Sequence, residues 1–406
     1  MIKIGNVIEK KKGNYIYKFQ RIDLGRHPIT GKKICKDFYG KNKKELQEKV
    51  NNYLSLINHQ IDADSTETFG EFMSYWLKEV RFSNGLKNSS KERYIGLFEN
   101  YIVNPEKFLT SKGKKINSLN KLFISNIPIL KINTRCIQEY YNALFSSDVT
   151  SATILSINKL IKPCLKYAYT NNTLLKDYSI GLVIPGIKHE RRRKKESLED
   201  SKNIFLINEQ KIFLNSIKGN REEAFYRLGF TLGLRLGELL GLRWSRINFQ
   251  DRTITIDTSV RREKDVETGI SSLVLTSLKT DSSYATLYCP KFIINDLKHH
   301  KSLQDNEKKI AGNLYIDNDL VFSTEFGKII EPSNIRKRYK KLLKKANLPN
   351  KTLHAMRHTC ATRLMENRLT LKEIQYVLRH SDSSITGIYT HLSDERKLEI
   401  ADLITL

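Results

Sequence analysis

Six widely separated side chains are of types that can bind an anion, move protons or act as a nucleophile. Two arginines can each present a forked set of N–H donors to phosphate oxygens, and two histidines can exchange protons near neutral pH. A lysine supplies a mobile ammonium, and a tyrosine supplies a phenol that becomes a nucleophile when a neighbour accepts its proton. In chain order the six are Arg235, Lys279, His354, Arg357, His380 and Tyr389.

Two short spacings predict that some of these side chains act together. His354 and Arg357 are three residues apart at the start of a predicted helix, so both project from one face near an end that favours anions. Arg235 and Glu238 have the same spacing directly after an expected break at Gly233. There the carboxylate can orient a guanidinium or an imidazole. The sequence therefore predicts an anion site with a supporting carboxylate.

Ordinary explanations exist for these residues when each is taken alone. An arginine with a glutamate three residues on is more often a surface pair. His354 and His358 are spaced like the ends of H-E-x-x-H and could bind zinc with His380, but position 355 is Ala where a metallopeptidase needs its Glu base. Lys279 resembles any exposed hairpin lysine, and Tyr389 any half-buried aromatic residue. We expect no metal and no cofactor.

The second half of the chain, which must position these side chains, is predicted to mix helices with short strands. Residues 225–244 predict a helix, an interruption around Gly233 and a second helix. TITID, SSLVLTSLKT and ATLYCP predict strands, and a turn at 281–283 is expected to join the last two as a hairpin with Lys279 at its tip. From Pro332 onward the pattern is helical again.

Two helices near the C-terminus have clear predicted starts. Thr352 is the expected cap of the first, and Thr370 with Glu373 predicts a capping box for the second. The residues expected to face inward are Met356, Cys360, Ala361 and Leu364 in the first helix and Leu371, Ile374, Val377 and Leu378 in the second. Residues 394–406 predict a further amphipathic helix that packs on its own domain or on a neighbouring protomer.

The charge balance favours a polyanionic partner. The 406 residues include 70 Lys and Arg against 44 Asp and Glu, for a formal net charge of +26. A genome whose base composition favours Lys and Asn codons accounts for part of this surplus. The sequence has no apolar run long enough to span a membrane and no signal peptide, so we expect no membrane association. Five scattered cysteines without a C-x-x-C pair indicate a reducing cytoplasm.

Composition and periodicity predict a multidomain, predominantly α protein with small β-sheets, of the α+β class. Residues 1–62 predict a three-stranded sheet plus a helix, 66–182 a helical domain, 183–204 a basic linker, and 205–406 a mixed α/β domain. The sheet candidates for DNA contact are Tyr15, Tyr17, Lys18, Arg21 and Lys36, which could enter a major groove. The linker candidates are Arg191, Arg192, Arg193 and Lys194. A solvated sheet and a solvated linker without ligands remain the alternatives.

In their order, the six residues resemble the catalytic set of the tyrosine recombinases of the phage-integrase family. LGLRLGELLGLRW resembles the first-arginine box of that family, LKTDSS its hairpin lysine, HAMRH its His-x-x-Arg box, and LRHSDSSITGIYTH its final histidine and nucleophilic tyrosine. The helical stretch is similar to the family's core-binding domain, and residues 1–62 are similar to its arm-binding domain.

The resemblance implies a site-specific recombinase that cleaves and rejoins duplex DNA through a 3′-phosphotyrosyl intermediate and integrates and excises a mobile element. The implied partners are double-stranded DNA at core and arm sites, further copies of the chain in a tetramer, and an excisionase or a host DNA-bending protein. The implied location is the cytoplasm, on nucleoid DNA. A type IB topoisomerase and a catalytically silent DNA-binding regulator remain open as alternatives.

Two positions depart from the family pattern. Arg379 directly precedes the last histidine, where the family usually has Gly, and Ala285 stands where an Arg is frequent. The first departure bears on the local geometry at His380, and the second on a secondary phosphate contact.

Overall fold

A computed structural model of the chain describes residues 2–12, 15–26, 30–116, 118–187, 203–264, 268–278, 284–379 and 394–404. The chain divides into two compact units, Met1–Glu190 and Arg191–Leu406. The predicted class, mostly helical with small sheets, is confirmed. None of the described helices combines the length and apolarity needed to cross a bilayer. The following candidate residues lie outside the described residues: Lys279, His380, Tyr389, Arg191, Arg192, Arg193 and Lys194.

The first unit begins with an antiparallel sheet of four strands, where the sequence predicted three. The strands are β1 Lys3–Ile4, β2 Ile8–Lys12, β3 Tyr15–Arg26 and β4 Lys33–Gly40, and β3 pairs with all the others. Helix α1, Lys43–Asn58, is capped by Asn42, whose side chain accepts from the N–H of Glu45. The helix packs Leu46 and Val50 against Ile22 of β3, so one face of the sheet is covered.

The remainder of the first unit is helical, as the periodicity predicted. The helices are α2 Phe69–Tyr75, α3 Asn88–Leu97, α4 Pro105–Ser111, α5 Thr134–Ser146 and α6 Ser151–Thr170, with π-type turns extending α2 over Trp76–Arg81 and α3 over Phe98–Val103. Side chains of Thr68, Asn133 and Thr150 cap α2, α5 and α6. Their apolar faces form one buried cluster, separate from the core under the sheet.

The described residues of the second unit combine helices with two small sheets. Its first elements are α7 Ile207–Ser216, α8 Glu223–Leu232, α9 Leu236–Leu240, β5 Ile247–Asn248, β6 Thr253–Ile256, β7 Thr258–Lys264, β8 Ser271–Ser277 and β9 Ala285–Tyr288. The predicted hairpin is wrong: β8 pairs with β7, and β9 pairs with β6. The reason is that β7, which the sequence analysis missed because TSVRREK is polar, supplies the partner that β8 needs.

The remaining helices are α10 Lys291–Ala311, α11 Pro332–Lys345, α12 His354–Glu366, α13 Leu371–Leu378 and α14 Asp394–Leu403. The predicted cap at Thr352 is wrong, because its hydroxyl and N–H both bond to the side chain of Asn203. The capping box of Thr370 and Glu373 is confirmed. The predicted inward-facing stripes are right except at Ala361, which is half-buried, and Leu371, which is 67% exposed.

Helix α14 packs on its own unit in this single-chain structure. Ile400 and Ile404 enter the apolar cluster of α12 and α13. Two ion pairs hold the helix, one between Arg396 and Glu373 at 2.7 Å and one between Arg252 and Asp402 at 2.8 Å.

The break predicted at Gly233 is present and has a steric cause. Gly233 ends α8 in the left-handed region, with φ +57°, and a Cβ built there would lie 2.6 Å from Cδ2 of the buried Leu378. Only a residue without a Cβ meets both demands at this position.

Gly233→Ala is expected to destabilise the second unit by about 2–4 kcal/mol, because the left-handed conformation costs an alanine about 1 kcal/mol and overpacking adds about 1–3 kcal/mol. Urea unfolding measures this loss. Gly219→Ala is the matched control, since Gly219 has φ +76° but nothing within 4 Å of its Cβ position. Equal losses in the two variants would contradict the steric part of the explanation.

Candidate active site

Arg235 and Glu238 are held together by the turn that follows Gly233. Arg235 caps α9: its backbone N–H donates to Glu238 Oε2 at 2.8 Å, and its Nη1 donates to Glu238 Oε1 at 2.9 Å. The Arg235 side chain is 41% exposed, whereas that of Glu238 is 3% exposed. This is therefore not an ordinary surface ion pair. The buried carboxylate holds an arginine side chain that remains partly exposed to solvent.

Arg357 comes to the same place from the first turn of α12. Its guanidinium is buried, with Nη1 donating to the carbonyl of Gly233 at 2.7 Å and Nη2 donating to the carbonyl of Leu378. These carbonyls belong to the ends of α8 and α13, where helix carbonyl groups lack partners within the helix. Arg357 thus joins two helix ends and lies beside the turn that carries Arg235.

The sequence analysis missed a third arginine of this cluster. Arg379 follows α13 in the left-handed conformation, with φ +50°, and its side chain is 1% exposed. Its Nη2 donates to Glu238 Oε2 at 2.7 Å. In the sequence this residue stood out as a departure from a family pattern, without any indication that its charge would be buried against Glu238.

The cluster of Arg235, Arg357, Arg379 and Glu238 carries two excess positive charges. Burial alone raises the pKa of Glu238, but Arg379 and Arg235 outweigh it, so the pKa lies below its usual value. Burial, together with the charges of Arg235 and Arg379, lowers the pKa of Arg357 to about 10. Burial also lowers the pKa of Arg379, while Glu238 opposes that shift. An anion that approaches the partly exposed Arg235 side chain meets a net attractive field.

His354 lies beside this cluster, on the first turn of α12. It is exposed, and its ring packs edge-on against that of His358 with centroids 4.7 Å apart. A cavity of about 440 Å³ is lined by His354 and by Leu234 and Leu236, the residues on either side of Arg235. The structure thus brings His354 near the turn that carries Arg235. Across the described ranges, no group of His, Cys, Asp and Glu side chains is arranged to hold a metal ion.

Further cations that the sequence analysis did not select line the same cavity. Arg336 and Lys340 project from α11, and Lys351 precedes α12. The Lys351 ammonium is buried, donates to the Ile204 carbonyl at 2.8 Å and lies 3.2 Å from Glu209. The dense run of Lys and Arg in α11 was the sequence signal that could have indicated these cavity-lining cations.

The N-terminal candidates lie on two different faces of the sheet. Directly paired residues of antiparallel strands share a face. Lys36 pairs with Ile22, and Lys18 lies four residues before Ile22 on the same strand, so both lysines lie on the face against which α1 packs. The candidates on the opposite face are Tyr15, Tyr17 and Arg21. Arg21 binds Asp37 there through two contacts of 2.6 and 2.8 Å.

Comparisons with known proteins agree on one family. Residues 206–396 match the model of the phage integrase family. A protein of Caldanaerobacter subterraneus subsp. tengcongensis described as tyrosine recombinase XerC-like is 34% identical over 410 residues, which cover 97% of this chain and 98% of that protein. The integrase of Staphylococcus phage L54a is 25% identical over 372 residues, which cover 87% of this chain and 97% of the integrase.

A solved structure shares the fold. It is the Tn1549 transposon integrase in complex with a circular intermediate DNA, which superposes with a TM-score of 0.58 at 18% identity. The match covers 81% of this chain and 97% of that chain. At this identity the likeness supports the fold alone.

Glu238→Gln is expected to destabilise the protein by about 3–5 kcal/mol at pH 7, because it leaves Arg379 buried without its counterion. The pKa of Glu238 is lowered in the folded chain, so its contribution is complete above the ordinary carboxyl pKa of about 4.3 and is lost as the pH falls through the folded value. Urea unfolding at pH 7 and at progressively lower pH measures this change.

Glu399→Gln is the control for this measurement, since Glu399 forms an ion pair with Arg396 but its side chain is 63% exposed. We expect little change in unfolding free energy for this variant. A loss in Glu238→Gln that does not shrink as the pH falls would contradict the assignment of Glu238 as the ionised centre of the cluster.

Proposed function

The chain belongs to the phage integrase family and is a tyrosine site-specific recombinase, and we propose on that premise that it cleaves and rejoins duplex DNA through Tyr389. In the proposed reaction, the phenolic oxygen of Tyr389 attacks a backbone phosphate and forms a 3′-phosphotyrosyl linkage. The strand is released with a free 5′-hydroxyl.

The observation that best supports this proposal is the convergence of Arg235 and Arg357 with an excess of positive charge. A phosphodiester carries one negative charge, and nucleophilic attack increases the charge on its nonbridging oxygens. Preorganised guanidinium donors stabilise that transition state more than the ground state. Arg235 and Arg357 are the proposed clamp, with Glu238 orienting Arg235.

The proton transfers are assigned to three side chains. His354 accepts the phenol proton of Tyr389 as the new P–O bond forms. The bond to the 5′-oxygen breaks, and Lys279 gives that oxygen a proton. His380 binds the phosphate during both events. The exposure of His354 at a cavity beside the turn that carries Arg235 favours its role, because the phenol and the DNA must both reach it.

The proposed reaction needs no cofactor and no metal. The phosphotyrosyl ester keeps the phosphodiester bond energy, so a 5′-hydroxyl of a partner strand can attack it, restore the DNA backbone and return the proton to Tyr389. Strand exchange therefore follows from running the same chemistry backwards on a new strand. The net charge of +26 supports the binding of duplex DNA by electrostatic attraction.

The four sequence-defined regions receive separate roles in this proposal. Residues 1–62 bind arm sites, residues 66–182 and 205–406 bind the core site, and the basic residues of the 183–204 linker contact phosphates. Four copies of the chain assemble on DNA to exchange strands, with an excisionase or a host DNA-bending protein as an accessory. The protein acts on nucleoid DNA in the cytoplasm and integrates and excises a mobile element.

Tyr389→Phe is expected to abolish the covalent protein–DNA adduct, because the variant lacks the attacking oxygen. Sequencing the junctions that the protein makes in its host identifies the core site. A nicked duplex carrying that site then traps the adduct, which a denaturing gel separates from free protein.

Tyr376→Phe is the matched control, since Tyr376 on α13 donates a hydrogen bond from its hydroxyl to the Thr286 carbonyl. That variant is expected to form the adduct as wild type does. An undiminished adduct in Tyr389→Phe would reject the nucleophile, and DNA relaxation without exchange between two sites would favour a topoisomerase.

Arg21→Ala is expected to reduce the salt dependence of DNA binding by about one unit in the slope of log K against log salt, because Arg21 is a proposed phosphate contact. Lys36→Ala is the matched control, because Lys36 lies on the face covered by α1 and pairs with Asp64. The measurement uses the full chain and a duplex spanning the mapped junction with its flanks. Equal effects of the two substitutions would contradict DNA contact through the open face of the sheet.

A further inference from the structure

Arg379 occupies its position at a cost that its own contacts do not explain. Its backbone is in the left-handed region, which residues other than Gly, Asn and Asp rarely adopt. Its guanidinium is almost fully buried, yet within the described part of the chain Nε and Nη1 have no hydrogen-bond partner. Strained conformations and unsatisfied buried groups concentrate at functional sites. Among the described residues, its side chain makes one hydrogen-bonded contact, the ion pair with Glu238.

The Arg235–Glu238 pair by itself poses an electrostatic problem for phosphate binding. A buried carboxylate needs a counterion, and with Arg235 alone the pair would be neutral. If Arg235 moved toward a phosphate, it would then leave Glu238 charged and unpaired in a buried position. Glu238, which orients Arg235, would therefore also hold Arg235 back from the phosphate.

The contacts of Glu238 show how Arg379 removes this conflict. The guanidinium of Arg235 uses Oε1 of the carboxylate, and Arg379 uses Oε2. The two guanidinium groups therefore do not compete for one oxygen. With Arg379 in place, Glu238 keeps a buried counterion while Arg235, whose side chain is 41% exposed, retains attraction for an incoming anion.

We propose that Arg379 is a positioning residue of the recombination site, which compensates the charge of Glu238 so that Arg235 can engage the scissile phosphate. This inference rests on the proposed function, because it assigns the phosphate of that reaction to Arg235. Arg379 touches neither DNA nor the nucleophile in this account. It acts through Glu238.

Within the residues that the structure describes, the charged groups facing Glu238 come from three elements. Arg235 lies at the start of α9, Arg357 on α12, and Arg379 at the end of α13. The nearby thiol of Cys360 on α12 has its pKa raised by burial to about 12, so it remains neutral. Replacing Arg379 by a neutral residue removes the largest charge that opposes the effect of burial on Glu238, so the pKa of Glu238 rises.

The test measures the rate of covalent adduct formation on the nicked duplex that carries the mapped core site. Arg379→Met is expected to lower the rate at least tenfold at pH 7 while affinity for the same duplex changes less than twofold. Arg379→Lys, which keeps a positive charge, is expected to restore part of the rate. Arg379→Gly, which relieves the backbone strain but removes the charge, is expected to lose as much as Arg379→Met.

A double-mutant comparison tests whether Arg379 acts through Glu238. In a Glu238→Gln background the carboxylate charge is absent, so adding Arg379→Met is expected to change the rate less than twofold. The ratio of the Arg379→Met rate to the wild-type rate is expected to rise as the pH is lowered, because protonation of Glu238 releases Arg235. The same ratio taken within the Glu238→Gln background is expected to be independent of pH.

Two results would overturn the proposal. One is an equal loss from Arg379→Met in both backgrounds, and the other is an Arg379→Gly variant as fast as wild type. Thermal unfolding of each variant verifies folding. The double variant lacks both charges of the Arg379–Glu238 pair, so it leaves neither of them buried without its partner. If Arg379→Met does not fold, the double variant is compared with Glu238→Gln, and Arg379→Lys is compared with wild type.

The wild-type and Tyr389→Phe proteins separate this inference from the proposed function. An adduct formed by neither protein would reject the proposed function. An adduct formed by wild type, absent from Tyr389→Phe and unaffected by neutral residues at position 379 would reject the role of Arg379 and leave the proposed function in place.

Discussion

The buried guanidinium of Arg357 is the contact on which the geometry of the second unit depends. It donates to the carbonyls of Gly233 and Leu378, where α8 and α13 end. The C-terminal ends of helices carry partial negative charge and unsatisfied carbonyl acceptors, so one cation stabilises both of these ends. The segments that leave these helix ends carry Arg235 and Arg379, which therefore approach each other. A lysine has no planar fork with which to bond two carbonyls in this way.

Glu238 makes this concentration of arginines tolerable. Three guanidinium groups near one another would repel, and two of them are buried, where solvent screens charge least. The carboxylate bonds to Arg235 and Arg379 and leaves the cluster with an excess of two positive charges. That excess suits a phosphate whose negative charge grows during reaction. Structural stability and affinity for an anion are thus linked through one carboxylate.

Local sequence determined the elements whose hydrogen bonds close within a few residues. The Thr370–Glu373 capping box and the spacing of Arg235 and Glu238 could be read directly, because the partners are three positions apart. The break at Gly233 followed from its lack of a Cβ. The recombinase family was also evident from the order of short motifs, and the comparisons confirm it. Each of these signals is contained in a short stretch of chain.

Tertiary structure decided the contacts between distant residues. The pairing of β8 with β7 depends on a polar strand that has no pattern of its own, and Thr352 bonds to Asn203 instead of capping α12. The burial of Arg379 against Glu238 has no local signature either, because the residues are far apart in the chain and meet only when Arg357 brings the ends of α8 and α13 together. The sequence by itself identified the side chains whose types suit the proposed chemistry. The fold decided which charges are buried together, since burial and electrostatic coupling arise from packing.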